Sequence, residues 1–279
     1  MKSIENPILP GFYPDPSICR VGEDFYLVTS SFAFFPGVPV FHSRDLIHWE
    51  QIGHVLTRPE QLPLNCRHIS GGIYAPTLRY FDGTFYMITT NVDGIGDFVC
   101  TAQDPAGPWS DMHIVHGAPG IDPSLFFDED GSCWMCGNDW SKGYGVIWVA
   151  PFDTNTFSLC GERVDLWRGA MHDAWAPEAP HIYKKDGWYY LMIAEGGTEF
   201  FHSETIARAE SITGKYKGYP GNPILTHRHL GYGAPITNTG HADLVELADG
   251  SWYMVLLACR PIEGYHLNMG RETFITPVT

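Results

Sequence analysis

The chain repeats one pattern five times, and this repeat limits the folds it can adopt more than any other feature. The copies are "DPSICRVGEDFYLVTSS" from Asp15, "APTLRYFDGTFYMITTN" from Ala75, "DPSLFFDEDGSCWMCGN" from Asp122, "APHIYKKDGWYYLMIAE" from Ala179 and "HADLVELADGSWYMVLLA" from His241. Each copy has a short apolar segment, a turn containing Gly or Asp-Gly, and a second segment rich in aromatic and β-branched residues. This arrangement is typical of a β-hairpin.

The spacing of the copies indicates how the hairpins are grouped. The repeat starts lie 60, 47, 57 and 62 residues apart, and a weaker second pattern follows each of the first four starts by about 28 residues. This second pattern, which reads "HSRDLIHWEQ" in the first unit and "ARAESITGKY" in the fourth, predicts another hairpin in each unit. Four short strands at a long period are typical of a propeller blade, so we expect an all-β fold, a five-bladed β-propeller. A β-sandwich, which also has many short strands, is the alternative.

Charge and hydropathy exclude several classes of partner. The chain has 17 Lys and Arg against 32 Asp and Glu, a formal net charge of −15, which disfavours a nucleic-acid partner. No apolar run approaches the roughly 20 residues that cross a membrane. The start "MKSIENPILP" lacks the apolar run of a secretory signal, which predicts a cytoplasmic protein. The negative net charge also leads us to expect a neutral substrate.

The cysteines do not indicate a disulfide framework or a metal site. Their number is odd and their spacing irregular: Cys19, Cys66, Cys100, Cys133, Cys136, Cys160 and Cys259. The one pair with metal-like spacing, "CWMC", lies in the second strand of the third repeat, where we expect both thiols to pack as small apolar groups.

The repeat also predicts where the acidic residues meet. Equivalent positions of a propeller lie at the same height and radius, so the first residues of the repeats should form a ring at one end of the central channel. That ring contains Asp15, Asp122 and His241, with Glu178 just before the fourth start. Prolines on both sides of Asp15 favour a rigid, extended backbone there. Carboxyl groups in an aromatic pocket favour cleavage of a glycosidic bond, in which one protonates the leaving oxygen and a second activates water or attacks the sugar.

Several longer motifs resemble one enzyme family. The strings "NPILPGFYPDPSICR", "SGGIYAPTLRYFDGTFYMITTN", "GIDPSLFFDEDG", "IAEGGTEFFHSETIARAESITG", "TGHADLVE" and "MGRETFITPV" are similar to glycoside hydrolase family 43, especially its β-xylosidase and α-L-arabinofuranosidase branch. The resemblance covers nearly the whole chain and its motifs come in family order. It implies a five-bladed propeller that hydrolyses terminal β-D-xylosyl or α-L-arabinofuranosyl units, with inversion and without a required cofactor.

The resemblance also implies a role for each candidate residue. Asp15 would be the general base, Glu178 the general acid, and Asp122 the residue that orients this acid and raises its pKa by like-charge repulsion. The residues implied in sugar binding are Phe32, Tyr74, Thr198, His241 and Arg271. In some relatives the matching histidine lies near a divalent cation, so a channel Ca²⁺ is an alternative to the structural hydrogen-bonding role that we expect for His241.

Two departures from the family pattern raise specific questions. The acid motif reads "EAPH", with Ala179 where the family has glycine, and a positive φ at this position would displace Glu178 if alanine could not adopt it. The fifth repeat has sequence for three strands only. We therefore expect residues 1–279 to form a single propeller domain without the family's C-terminal β-sandwich, and to self-associate through an open strand edge unless the segment before Asp15 covers it.

Two other functions are compatible with parts of this pattern. A non-catalytic, sugar-binding propeller would keep the pocket but does not need all three carboxylates. A five-bladed fructosidase would carry its nucleophile in an Asn-Asp-Pro-Asn stretch, whereas Tyr13 and Pro14 precede Asp15 here.

Overall fold

The computed structural model describes residues 4–62, 68–171 and 175–279, so that Cys66 lies outside the described residues. Twenty strands in the described part form five antiparallel sheets. Two short 3-10 helices, Pro59–Gln61 and Arg228–Leu230, lie in connections. The predicted all-β, five-bladed propeller is confirmed. Among the described residues, no helix has the length and apolar character needed to span a membrane.

Each sheet is built from consecutive strands of the chain. The first contains β1 (Ser17–Val21), β2 (Asp24–Val28), β3 (Gly37–Ser43) and β4 (Glu50–Leu56). The second contains β5 (Thr77–Phe81), β6 (Thr84–Asn91), β7 (Gly96–Ala102) and β8 (His113–Ile114). The third contains β9 (Ser124–Phe127), β10 (Cys133–Asp139), β11 (Val146–Asp153), β12 (Ser158–Leu159) and β13 (Val164–Trp167). The fourth contains β14 (Glu178–Lys185), β15 (Trp188–Glu195), β16 (Ser203–Ala209) and β17 (Lys217–Gly218). The fifth contains β18 (Thr237–Glu246), β19 (Trp252–Cys259) and β20 (Glu272–Val278).

The third sheet departs from the expected four strands. Its long strand β11 pairs with β12 near Phe152 and with β13 near Trp148, so two short segments share the outer edge of one strand. The Cys133 and Cys136 side chains are buried in β10, as expected for packing groups. No cluster of His, Cys, Asp and Glu side chains suited to a metal occurs in the part of the chain that the structure describes.

The N-terminal segment covers the outer edge of the fifth sheet. Leu9 and Thr273 exchange two backbone hydrogen bonds of 3.2 Å. The amide side chain of Asn6 donates to the Ile275 carbonyl at 2.8 Å and accepts from the Ile275 N–H at 2.9 Å. Residues 6–9 thereby take the place of a fourth strand next to β20. This closes the ring of blades at the edge that the sequence left open.

Apolar clusters fill the gaps between neighbouring sheets. Between the fifth and first sheets, for example, Leu27 and Phe41 pack with Val255 and Ile275. Similar clusters join each of the other neighbouring pairs of sheets. Because inner strands are covered on both faces, their sequences are apolar at consecutive positions rather than alternating. Burial between the blades thus explains runs such as "YMVLLAC" in β19.

Four of the five repeat starts share an unusual backbone conformation at the channel entrance. The φ angle is 56° at Asp15, 55° at Asp122, 50° at Ala179 and 50° at His241. The expectation of an extended backbone at Asp15 is therefore wrong. Asp15 adopts the left-handed region despite the steric preference of the residue before a proline, and the Pro14 carbonyl before it accepts a hydrogen bond from the Ser30 N–H at 3.0 Å.

A second layer of side chains closes the channel below this ring. The buried carboxylate of Asp243 accepts hydrogen bonds from Arg79 at 2.7 Å, from the Ser17 hydroxyl at 2.6 Å and from the Tyr183 hydroxyl at 2.7 Å. Burial opposes its charge, but Arg79 and these donors hold the pKa of Asp243 well below its ordinary value. Four of the five blades are tied together at this point, which gives the ring above a rigid base.

Candidate active site

One pocket at the channel entrance brings together all eight residues singled out from the sequence. It has a volume of about 210 Å³ and is lined by Asp15, Phe32, Ser70, Tyr74, Ala75, Ile121, Asp122, Glu178, Thr198, His241 and Arg271. Ala75 is the second repeat start, which the repeat places in the ring, whereas Ser70 and Ile121 were not predicted. Ser70 and Ile121 lie in connections between blades, where the repeat pattern gives no signal.

Asp15 is held as a carboxylate by three neighbours. The Ser30 hydroxyl donates to its Oδ2 at 2.5 Å, and Arg271 Nη1 donates to its Oδ1 at 2.9 Å. His241 Nδ1 lies 3.6 Å from the same Oδ1. Burial alone would raise the pKa of Asp15, but Arg271, His241 and Ser30 together lower it below the ordinary value. Asp15 is therefore ionised throughout the neutral range and able to accept a proton.

The pKa of Glu178 is shifted in the opposite direction. It is the first residue of β14 and is partly buried at the pocket wall. Burial, followed by the negative charge of Asp15, raises the pKa of Glu178 to about 7, and the Arg271 cation opposes this shift. One pocket thus contains a carboxylate of low pKa and a carboxylic acid of high pKa, which is the pairing that general acid-base chemistry requires.

Asp122 is a neighbour of the acid with a raised pKa of its own. Its buried carboxyl group accepts a hydrogen bond from the Ala179 N–H, next to Glu178 in the chain. Burial, and then the negative charge of Glu178, raise the pKa of Asp122 well above its ordinary value. From the sequence we expected Asp122 to raise the pKa of Glu178. In the structure burial and the charge of Asp15 raise it, and the carboxyl groups of Asp122 and Glu178 repel each other, so that the role of Asp122 stays a prediction.

Ala179 adopts the positive φ that its position requires. With φ at 50° and its side chain buried, it leaves Glu178 at the pocket wall together with Asp15 and Asp122. The displacement of Glu178 that an alanine here could have caused does not occur. The conformation costs roughly 1 kcal/mol for a residue with a Cβ atom.

Arg271 joins the base to the aromatic wall. Its guanidinium lies 5.2 Å from the centre of the Phe32 ring, which in turn contacts the Tyr74 ring edge-on at 5.4 Å. The N-terminal segment fixes its backbone, because the Tyr13 N–H donates to the Arg271 carbonyl at 3.1 Å. The next residue, Glu272, is buried and bound by Arg260 and by the Gly11 N–H. The end of the chain is thus tied to its beginning at the site.

The backbone of His241 is held by a buried side chain below the ring. Burial lowers the pKa of His241, although the Asp15 carboxylate opposes this effect. Glu204, which is fully buried, accepts hydrogen bonds from the backbone N–H groups of His241 and Ala242. Sequence reasoning missed Glu204, because it is one polar residue within a strand and only the tertiary fold brings it beneath the ring.

Known proteins with similar sequences agree with this geometry. Residues 4–279 match the family model described as Glycosyl hydrolases family 43. A xylosidase/arabinosidase of Butyrivibrio fibrisolvens is 53% identical over all of this chain and 55% of its own length. A non-reducing end alpha-L-arabinofuranosidase of Bacteroides ovatus is 49% identical over all of this chain and 52% of its own length.

Solved structures give the same result. A xylan beta-1,4-xylosidase from Bacillus halodurans superposes with a TM-score of 0.92 at 43% identity, over 99% of this chain and 55% of that one. The chain spans about half the length of the curated relatives it matches. The family model, the relatives and the propeller with its acidic pocket agree, and the chain belongs to glycosyl hydrolases family 43.

Proposed function

We propose that this chain is the catalytic part of a glycoside hydrolase that removes terminal β-D-xylosyl or α-L-arabinofuranosyl units from xylo-oligosaccharides or arabinoxylan, with inversion at the anomeric carbon. The observation that carries the proposal is the pair of carboxyl groups in one pocket, Asp15 with a lowered pKa and Glu178 with a pKa raised to about 7. Residues 1–279 act, in this proposal, as a single catalytic propeller domain.

The reaction assigns one proton transfer to each group. Asp15 accepts a proton from a water molecule while the oxygen of that water forms a bond to the anomeric carbon. The bond from this carbon to the leaving oxygen breaks, and Glu178 gives its proton to that oxygen. Asp15 then releases its proton to solvent and Glu178 regains one. Arg271 and Ser30 keep the base ionised and aimed.

The remaining residues position the acid and the sugar. Asp122 accepts the N–H next to Glu178 and thereby orients the acid. The Phe32 and Tyr74 rings offer apolar faces to the C–H groups of a sugar ring, and Arg271 and Thr198 lie within reach of its hydroxyls. A small pocket of about 210 Å³ suits one terminal monosaccharide rather than an internal stretch of a polysaccharide.

The relatives support this substrate class. The name of the Butyrivibrio protein combines xylosidase and arabinosidase, and that of the Bacteroides protein names a non-reducing end alpha-L-arabinofuranosidase. A neutral pentose oligosaccharide is also compatible with the acidic character of this chain, whose formal net charge is −15. The cytoplasmic location expected from the sequence stays a prediction. Self-association was expected only if the edge of the fifth sheet stayed open, and Asn6 and Leu9 cover that edge.

We propose no metal for this reaction. The Asp15 oxygen beside His241 is already occupied by Arg271, which leaves few oxygen ligands for a calcium ion at this point. Calcium in the channel would therefore be held mainly through water molecules. We expect chelation to leave activity unchanged; activity that falls after chelation and returns with calcium would establish such a site.

Assays on xylobiose and on an aryl α-L-arabinofuranoside test the proposal. Asp15→Ala and Glu178→Ala should each lower turnover about 10²–10⁴-fold, and NMR should detect the product first as the inverted anomer. Asp249→Ala, which removes an exposed carboxylate bound only to its own turn, is the matched control. A wild-type chain that binds these sugars without releasing product would instead be a non-catalytic sugar-binding propeller.

A further inference from the structure

The peptide that carries the acid also presents a large exposed aromatic side chain. Trp175 lies three residues before Glu178 and is 65% exposed. Single exposed aromatic residues are common on protein surfaces and need no explanation by themselves. Trp175 differs in that neighbouring residues hold its backbone and one side of its ring, although most of the ring is exposed.

Two glycines after β15 hold Trp175 in place. The Gly196 N–H donates to the Trp175 carbonyl at 2.8 Å. A Cβ atom on Gly197 would lie 2.8 Å from the Trp175 ring, so the indole rests directly on the Gly197 backbone. Both glycines have positive φ, 88° and 70°, which other residues adopt only with strain. The loop that supports the indole therefore depends on glycine for its conformation and its clearance.

The backbone between Trp175 and Glu178 is equally constrained. Ala176 is buried and has a φ of 58°, in the left-handed region that residues with a Cβ atom seldom adopt. Non-glycine residues persist in this region where surrounding contacts impose it, and such residues are concentrated at functional sites. The backbone that joins the indole to the acid is thus held in a strained conformation at Ala176.

The chemistry determines the side on which the leaving group lies. The base belongs to the first blade and the acid to the fourth, and the acid must contact the oxygen between the terminal sugar and its leaving group. The leaving group therefore emerges on the side of Glu178 and Thr198. Trp175 lies on this rim, since its ring covers Gly197, the neighbour of Thr198.

We infer that the exposed face of Trp175 binds the first sugar beyond the scissile bond, by stacking on the pyranose ring of a xylose unit. This inference rests on the proposed function. Flat indole rings bind the apolar C–H faces of pyranoses, and a ring already fixed in place loses little conformational entropy on binding. Trp175 thus makes the enzyme selective for a sugar leaving group and does not affect which terminal unit enters the pocket.

Binding measurements separate this role from a merely structural one. In the inactive Glu178→Gln chain, affinity is measured by calorimetry for xylose, which fills only the pocket, and for xylobiose, which reaches beyond it. If the wild type prefers arabinofuranosides, arabinose and an arabinofuranosyl-xylose disaccharide replace them. Adding Trp175→Ala should weaken disaccharide binding about tenfold and change monosaccharide binding less than about twofold, and Trp175→Phe should lie between.

The controls make every outcome informative. Tyr219→Ala removes an aromatic residue of similar exposure, 57%, at the outer edge of the fourth blade, and should change neither affinity. Unchanged disaccharide binding in the Trp175→Ala chain overturns the inference. Equal weakening for both sugars also overturns it, because Trp175 would then support the loop only. A wild-type chain that neither hydrolyses nor binds these sugars refutes the proposed function itself, before any variant is compared.

Discussion

Replacing Glu178 by Gln should lower turnover about 10²–10⁴-fold and, at neutral pH, stabilise the fold. Burial, and then the charge of Asp15, raise the pKa of Glu178 from its ordinary 4.5 to about 7 in the folded protein. Between these values the folded chain binds a proton that the unfolded chain has lost. The free energy of unfolding of the wild type therefore decreases as the pH rises through this window, and above it the penalty is fully present.

The size of the effect follows from the two pKa values. A difference of about 2.5 pKa units corresponds to roughly 3 kcal/mol at about 1.4 kcal/mol per unit. Because the side chain is only partly buried, water at the pocket mouth reduces this figure, and we expect about 1–3 kcal/mol. The amide introduced by Glu178→Gln does not titrate, so the difference in stability between variant and wild type should grow by this amount from about pH 4.5 to about pH 8.

Urea unfolding of the wild type and of the Glu178→Gln variant at about pH 5 and about pH 8 measures this difference. The matched control is Asp15→Asn, for which the sign is opposite. The lowered pKa of Asp15 means that its ionised form stabilises the fold above the ordinary value of 3.8, with loss only as the pH falls through the folded pKa. Asp15→Asn should therefore destabilise similarly at both pH values. A stability difference for Glu178→Gln that is the same at both pH values would refute the assigned protonation of the acid.

Three further predictions concern the pH profile, the closure of the ring and the strained backbone. The pH profile of kcat/KM should be bell-shaped, with an alkaline limb near the Glu178 pKa of about 7 and an acidic limb below 3.8 from Asp15, and an alkaline limb near 4.5 would contradict the assignment. Asn6→Ala should lower the free energy of unfolding by about 1–3 kcal/mol, since both hydrogen bonds to Ile275 are lost; an unchanged urea midpoint would show that the N-terminal segment does not close the ring. Ala179→Gly should raise stability by up to about 1 kcal/mol without loss of activity, and a destabilised variant would mean that the alanine side chain contributes more by packing than it costs in strain.

The repeat in the sequence determined the architecture and the place of the site. Hairpin periodicity and turn residues are local properties, so five copies of one pattern predict five blades without knowledge of any long-range contact. Since equivalent repeat positions converge on the propeller axis, the same pattern brought Asp15, Asp122 and His241 to one ring. Glu178, just before the fourth repeat start, was expected beside this ring. Phe32, Tyr74, Thr198 and Arg271 were named only from the resemblance to glycoside hydrolase family 43, and all eight residues line one pocket.

Long-range contacts decided what those residues are able to do. Asp15 and Glu178 are both short acidic side chains at strand starts, and nothing local predicts that one pKa is lowered and the other raised. The difference arises because Arg271, 256 residues along the chain, reaches Asp15 at 2.9 Å. The left-handed backbone at Asp15, the support of His241 by Glu204, and the pairing of Leu9 with Thr273 have the same origin. Each depends on segments that are distant in sequence and meet only when the ring of blades closes, because charge and burial act through space and not along the chain.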